Sequence, residues 1–247
     1  MPSRLPEDRL PLSDRLIVAL DVSTAREAQL LSARIGEAAG YVKVGLQLFV
    51  SQGPALVREL LSSGRRVFLD LKLHDIPNTV SHAVQSAREL GVQMLTVHAS
   101  GGEKMLRAAV EAAAGRLDIL AVTVLTSLND AALEETGVAG TASDQVLRLG
   151  SLALTTGCPG LVTSAHEVAA LRQRLGDGFK IVVPGIRPEG SQRNDQERIS
   201  TPAAAVQAGA THLVVGRPVT QAADPAAAAR RILDEITQAA TQVTFQG

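Results

Sequence analysis

Short apolar runs rich in β-branched residues alternate along this chain with longer segments in which Ala and Leu recur at helical spacing. The runs predict strands over 16–21, 41–45, 66–72, 94–98, 118–125, 160–163, 179–184 and 212–216, with helices filling the gaps. Several helix starts are visible: Ser23-Thr24 before the first, Ser143-Asp144 before the fifth, Ser164 before the sixth and Asp224-Pro225 before the last. Eight such pairs are the sequence form of βα repetition. A set of this kind closes into a barrel or forms an open doubly wound sheet, and periodicity alone fits both.

Polar residues at the strand ends favour closure. Asp21, Lys43, Asp70, Lys72, His98, Thr126, Ser127, Gly185 with Arg187, and Gly216 with Arg217 all fall at or just after strand C-termini. A barrel gathers those ends on one rim. After the first strand stands Leu20-Asp21-Val22-Ser23, which lacks the glycine pattern of a dinucleotide-binding turn. The expected fold is therefore α/β, a single (β/α)8 TIM barrel spanning 1–247, with 1–15 as a lead-in and 242–247 as a loose tail. No Pro-, Gly- or Ser-rich linker divides it.

Composition narrows the partners. At 247 residues and 45% hydrophobic, the chain is long enough to bury a substantial core, and its length suits one α/β barrel. A net charge of -1, with four Phe, one Tyr and no Trp, gives no basis for binding nucleic acid or an anionic membrane. Cys158 is the sole cysteine and sits before Pro159 beside an apolar run, which reads as a small buried residue in a reduced, cytoplasmic protein. The first fifteen residues mix charge and proline, so neither a signal peptide nor a membrane span is expected.

The chemistry concentrates in Val67-Phe68-Leu69-Asp70-Leu71-Lys72-Leu73-His74-Asp75-Ile76-Pro77-Asn78-Thr79. Side chains alternate along a strand, so Phe68, Asp70 and Lys72 share one face while Val67, Leu69 and Leu71 take the other. At about 3.3 Å per residue, Asp70 and Lys72 stand roughly 6 to 7 Å apart, within reach of one small substrate. Asp75 follows, where Pro77 is expected to force a turn. Buried charges cost several kcal/mol each unless paired. The stretch is then either a structural ion pair or a proton-transfer site whose lysine is held by two carboxylates.

Val183-Pro184-Gly185-Ile186-Arg187 and Val215-Gly216-Arg217-Pro218 close the last two strands. Barrel loops after strands 7 and 8 often bind phosphate, because glycine lets backbone N–H groups approach the anion and arginine adds a charged fork. A phosphorylated substrate is expected. The polar segment 188–200 between them reads either as a closing loop or as a solvated one. Lys43 and Lys72, two of only four lysines, lie inside apolar strands, an unusual place for a residue normally left in water. Asp21 is a site residue or a helix cap; Thr126 and Ser127 bond a polar ring or cap the next segment. His98 is a base candidate, though a structural role is favoured because nothing pairs with it locally. His82, His166 and His212 read as structural, and His74 as pointing away from Asp75. No metal-ligand spacing and no Gly-x-Ser-x-Gly elbow appears.

The run 70–79, with Pro184-Gly185-Ile186-Arg187-Pro188 and Val215-Gly216-Arg217-Pro218-Val219-Thr220, closely resembles the bacterial orotidine 5′-phosphate decarboxylases, from Asp21 to the last helix. The resemblance implies a (β/α)8 barrel, usually a homodimer, that converts orotidine 5′-monophosphate to uridine 5′-monophosphate and CO2 without a cofactor or metal. It implies that Lys72 donates the proton to C6, that Asp70 lies beside the departing carboxylate, and that Asp75 and Thr79 reach into the partner's site. The whole run Asp70, Leu71, Lys72, Leu73, His74, Asp75, Ile76, Pro77, Asn78 and Thr79 then belongs to substrate binding. Asp21 and Lys43 would hold the ribose, Thr126 and Ser127 the pyrimidine, and Arg187, Gln196, Gly216 and Arg217 the phosphate. Gln196 takes its role from the resemblance alone. The rival readings are a metal-dependent sugar-phosphate barrel, either aldolase or keto-acid decarboxylase, and a non-catalytic nucleotide-binding barrel.

Overall fold

The eight parallel strands pair in chain order and the last pairs with the first, so the sheet closes into a barrel. In the computed structural model, which describes residues 11–188 and 200–244, these are β1 (Leu16–Ala19), β2 (Tyr41–Gly45), β3 (Arg66–Leu73), β4 (Met94–His98), β5 (Asp118–Val122), β6 (Gly160–Val162), β7 (Lys180–Val183) and β8 (His212–Val215). Around them run α1 (Ala25–Ile35), α2 (Leu46–Ser62), α3 (Pro77–Leu90), α4 (Gly102–Ala113), α5 (Asp130–Glu135), α6 (Ala142–Thr155), α7 (Val168–Leu175), α8 (Pro202–Gln207), α9 (Arg217–Thr220) and α10 (Pro225–Thr244). Among the described residues no helix is long and apolar enough to cross a membrane.

The apolar runs are nearly continuous because both strand faces are buried. Ile17, Tyr41, Phe68, Met94, Leu120, Val182 and Val214 point inward and fill the barrel's middle. Their neighbours Leu16, Val18, Val42, Val67, Leu69, Leu95, Val97 and Leu213 point outward under the helices. Phe68 is 1% exposed, and burying such a side chain contributes roughly 1.5–3 kcal/mol. Alternation then leaves two sets of inward polar residues, one at each end of the barrel.

Most predicted strands lose one to three residues at their ends, where the chain leaves the ladder for the rim; β3 instead gains Leu73. Thr24 caps α1 and forms a capping box with Glu27. For α6 the cap is Thr141, not Ser143: Thr141 accepts from Asp144 N while the Asp144 carboxylate accepts from Thr141 N, so Asp144 is the third helical residue. Ser164 caps a 3-10 turn that runs into α7, and Asp224 accepts from Ala227 N at 2.9 Å. Pro77 opens α3 as its first residue instead of making a turn, since proline's missing N–H costs nothing there. Helix α10 runs to Thr244, into the stretch expected as a loose tail, with no Gly or Pro to stop it; 245–247 lie outside the described residues.

Part of the supposed lead-in belongs to the barrel floor. The turn Leu12–Arg15 buries Asp14, which pairs with Arg66 at the start of β3. The Arg66 guanidinium lies 4.3 Å from the Tyr41 ring centroid, and Lys180 pairs with Asp118 alongside. Gly40 is required here, because a Cβ would fall 2.6 Å from the Asp14 Cα. His212 is buried in this floor, its Nδ1 2.8 Å from Thr211 Oγ1.

Burial first, then the charges of Lys180 and Arg15, push the His212 pKa from 6.5 down to about 3. Between those values the unfolded chain binds a proton that the folded chain refuses, so stability falls as pH falls through this window. His212 is expected to contribute a slope of up to about 1.4 kcal/mol per pH unit. Urea midpoints from pH 7 to 4 check this: His212→Gln should flatten the wild-type decline, and an unchanged slope would assign it to other groups.

Candidate active site

At the opposite rim the inward residues form a chain of alternating charge. Lys43 Nζ lies 3.2 Å from Asp21 Oδ1 and 3.6 Å from Asp70 Oδ2, and Lys72 Nζ lies 2.8 Å from Asp70 Oδ1. Lys43 and Asp70 are nearly enclosed, Lys72 half-buried, and Asp21 at the open end. Asp21 is therefore an ion-pair member; the cap of α1 is Thr24. Burial works to raise the Asp70 carboxyl, but Lys43 and Lys72, with hydrogen bonds from Lys72 and Thr96, hold it below the ordinary carboxylate range. Asp70 is thus an anion throughout the neutral range.

The short Asp70–Lys72 contact depends on a break in β3. The β3–β4 register runs Phe68↔Met94 and Leu69↔Leu95, then resumes at Leu73↔Val97. Four steps on β3 are matched by two on β4, so β3 bulges between them. Within the bulge Lys72 adopts φ +51, a left-handed conformation uncommon for a residue with a side chain. Strain of this kind costs of order 1–3 kcal/mol and gathers at functional sites. Thr96 supports the bulge: its Oγ1 accepts from Lys72 N at 2.8 Å and donates to Asp70 Oδ1 at 2.9 Å. Sequence reading passed over Thr96. The signal was parity, since Met94, Thr96 and His98 share the inward face of β4.

A cavity of about 560 Å³ opens above this charged chain. Of the run 70–79, Asp70 and Lys72 line it. Leu71 and Leu73 pack against the outer core instead. Asp75 is exposed and its Oδ1 accepts from Ile76 N at 2.6 Å; it makes no ion pair with Lys72 of its own chain. Ile76 is 66% exposed, and Asn78 and Thr79 sit in the first turn of α3. Thr126 lines the cavity, whereas Ser127 is exposed beside it.

Across the barrel the cavity is walled by Gly185, Arg187, Gly216 and Arg217, with Thr220 and Gln221 added by the structure. Gly185 takes φ +77, which turns the chain at the end of β7. Arg187 is 7% exposed; burial and the nearby Arg217 charge both lower its pKa. Its Nε, buried, has no hydrogen-bond partner among the described residues. Two guanidiniums held together in a cavity wall suit a multiply charged anion. Gln196 lies outside the described residues, as do 189–199 generally. The described residues on either side of it pair, Ile186 bridging Ser200 with Arg187 N donating to Ser200 O at 2.9 Å.

His98 has a neighbour that the sequence did not disclose: the His74 ring, 5.5 Å away between centroids. Burial, then the adjoining His74 and Lys72, lower its pKa, so the imidazole is neutral at pH 7. Among the described residues no three His, Cys, Asp or Glu side chains gather as a metal-ligand set.

The model of the family described as "Orotidine 5'-phosphate decarboxylase / HUMPS family" matches residues 14–232, the whole barrel. The chain belongs to this family. It is 53% identical over 220 residues to an orotidine 5′-phosphate decarboxylase of Anaeromyxobacter dehalogenans, covering 89% of this chain and 97% of the relative. One from Halorhodospira halophila is 53% identical over 233 residues, covering 93% and 99%. Among solved structures, the orotidine 5′-phosphate decarboxylase of Lactobacillus acidophilus superposes with a TM-score of 0.82 at 36% identity, covering 90% of this chain and 99% of that one. The family thus shares both the closed barrel and its length.

Proposed function

We propose that this barrel decarboxylates orotidine 5′-monophosphate to uridine 5′-monophosphate and CO2, closing pyrimidine synthesis, with Lys72 as electrostatic stabiliser and acid. The observation that carries the reading is the placement of Asp70 and Lys72 at one side of a single cavity whose other side presents Arg187 and Arg217. When the C6–carboxylate bond breaks, its electron pair stays on C6, where no conjugated sink receives it. The Lys72 ammonium stabilises that charge and then transfers a proton to C6, leaving a neutral amine that solvent reprotonates. Asp70, ionised and fixed, keeps Lys72 in place and faces the departing carboxylate. Asp21 and Lys43 meet the ribose and Thr126 and Ser127 the pyrimidine. The phosphate lies against Gly216, Arg187 and Arg217, with Gln196 contributed from the 188–200 segment. Binding energy gathered at the phosphate orients a base that itself offers few handles.

The same reading makes the enzyme a homodimer of single-domain barrels, in which the partner subunit's Asp75 and the partner subunit's Thr79 complete each site. A second opening of about 130 Å³ beside Lys43, Asp70 and Lys72 supports it, as room for another carboxylate. So do Val50, 80% exposed, and Ile76, apolar side chains whose exposure suits an interface. The reading needs no cofactor, nucleic acid or membrane. It locates the enzyme in the cytoplasm, where Cys158, its thiol pushed by burial up to about 11, stays reduced and inert.

The test is the absorbance change of orotidine 5′-monophosphate mixed with purified protein in EDTA. Full turnover in the chelator is expected. No conversion by folded protein would favour the metal-dependent sugar-phosphate barrel, and no conversion with uridine 5′-monophosphate still bound the nucleotide-binding reading.

A further inference from the structure

We propose that Thr96 is a positioning residue for this reaction, its hydroxyl holding Lys72 and Asp70 in register with one another. The inference rests on the roles given above to those two side chains. Thr96 is fully buried on the inward face of β4. It meets both partners through one oxygen, Lys72 N at 2.8 Å and Asp70 Oδ1 at 2.9 Å. The directions are fixed by chemistry. An ionised carboxylate only accepts, so the single hydroxyl proton goes to Asp70 and a lone pair receives the Lys72 N–H. Asp70 Oδ1 also accepts from Lys72 Nζ at 2.8 Å, so hydroxyl, carboxylate and lysine close a ring.

That ring explains how a left-handed residue persists in a strand. Where β3 bulges, the ladder to β4 is interrupted between Leu69 and Leu73, and the Thr96 side chain supplies the acceptor that Lys72 N would otherwise lack. A buried N–H left without one costs about 1–3 kcal/mol. With Thr96 present, the φ of +51 at Lys72 brings its ammonium back onto the carboxylate two residues earlier. Without it, the bulge can relax toward a regular strand, in which the two residues stand roughly 6 to 7 Å apart along the chain. The hydroxyl is also among the groups that keep the Asp70 carboxyl low.

Thr96→Val keeps the shape and removes the hydroxyl; Thr96→Ser keeps the hydroxyl and loses a methyl. The expected loss in kcat for Thr96→Val is about 10- to 100-fold, the scale of a small misplacement of a reacting group. The Kd for uridine 5′-monophosphate should stay within about threefold, because the phosphate wall is untouched. The acid limb of kcat/KM should move to higher pH, a change that a loss of folded protein does not produce. Thr96→Ser should recover most of kcat. Should Thr96→Val fail to fold, Thr96→Ala against Thr96→Ser isolates the hydroxyl, and the same loss is expected between them. A folded hydroxyl-free variant with kcat within threefold of its hydroxyl-bearing counterpart, or an unmoved acid limb, overturns the proposal. Lys72→Ala run beside it separates the two ideas: wild-type turnover there would overturn the assignment of Lys72 itself, whatever Thr96 does.

Discussion

Lys72→Ala is expected to lower kcat by about 10⁴-fold or more while Kd for uridine 5′-monophosphate stays within about tenfold, by initial-rate assay and product titration. Two contributions disappear together: a charge aimed at the carbon where electron density develops, typically about 10²–10³-fold, and a positioned acid, about 10²–10⁴-fold. Neither is exerted on the product's phosphate, so binding changes little. The fold should survive. Asp70 keeps Lys43 at 3.6 Å and the Thr96 hydroxyl at 2.9 Å, so no buried carboxylate is left without partners. Arginine at the same position is expected to restore almost nothing, because a guanidinium supplies charge but holds its proton too tightly and its planar fork does not fit a pocket built for an ammonium. Near-normal turnover by a folded Lys72→Ala protein would remove Lys72 from the chemistry.

What made Lys72 legible was its setting, a lysine inside an apolar strand beside an aspartate. The barrel was legible for a related reason: Asp21, Lys43, Asp70, His98, Arg187 and Arg217 all stand in the C-terminal part of a strand or just after it, and closure gathers those ends around one rim. Arg187 and Arg217 could be read because each follows a glycine at the end of its strand. Features made by contacts distant in sequence escaped. The bulge that joins Lys72 to Asp70 is held by Thr96, 24 residues away, and no local glycine announces its left-handed turn. The His74–His98 contact crosses from one strand end to the next. The floor pair of Asp14 and Arg66 spans 52 residues and sits at strand starts, the end of the barrel away from the cavity. Thr126 and Ser127 differ by one position, and that step decides which lines the cavity.

Mixing two inactive variants is expected to regenerate activity if the site is shared between chains. Asp75→Asn should be nearly inactive, since the partner subunit's Asp75 is proposed to stand beside Lys72; Lys72→Ala should be inactive for the reason already given. Unfolded together and refolded, the two form mixed dimers, in each of which one site carries both changes and the other carries neither. With random pairing half the dimers are mixed, so about a quarter of all sites become intact. Turnover near a quarter of wild type, at unchanged KM, is the expected reading. The geometry within one chain points the same way. Asp75 faces outward, bonded to Ile76 N, and makes no ion pair with its own Lys72, while the first turn of α3 carries Thr79 beside it. If each chain's Asp75 served its own Lys72, mixing would only average two inactive proteins. Activity above that average can come only from sites that two chains build together.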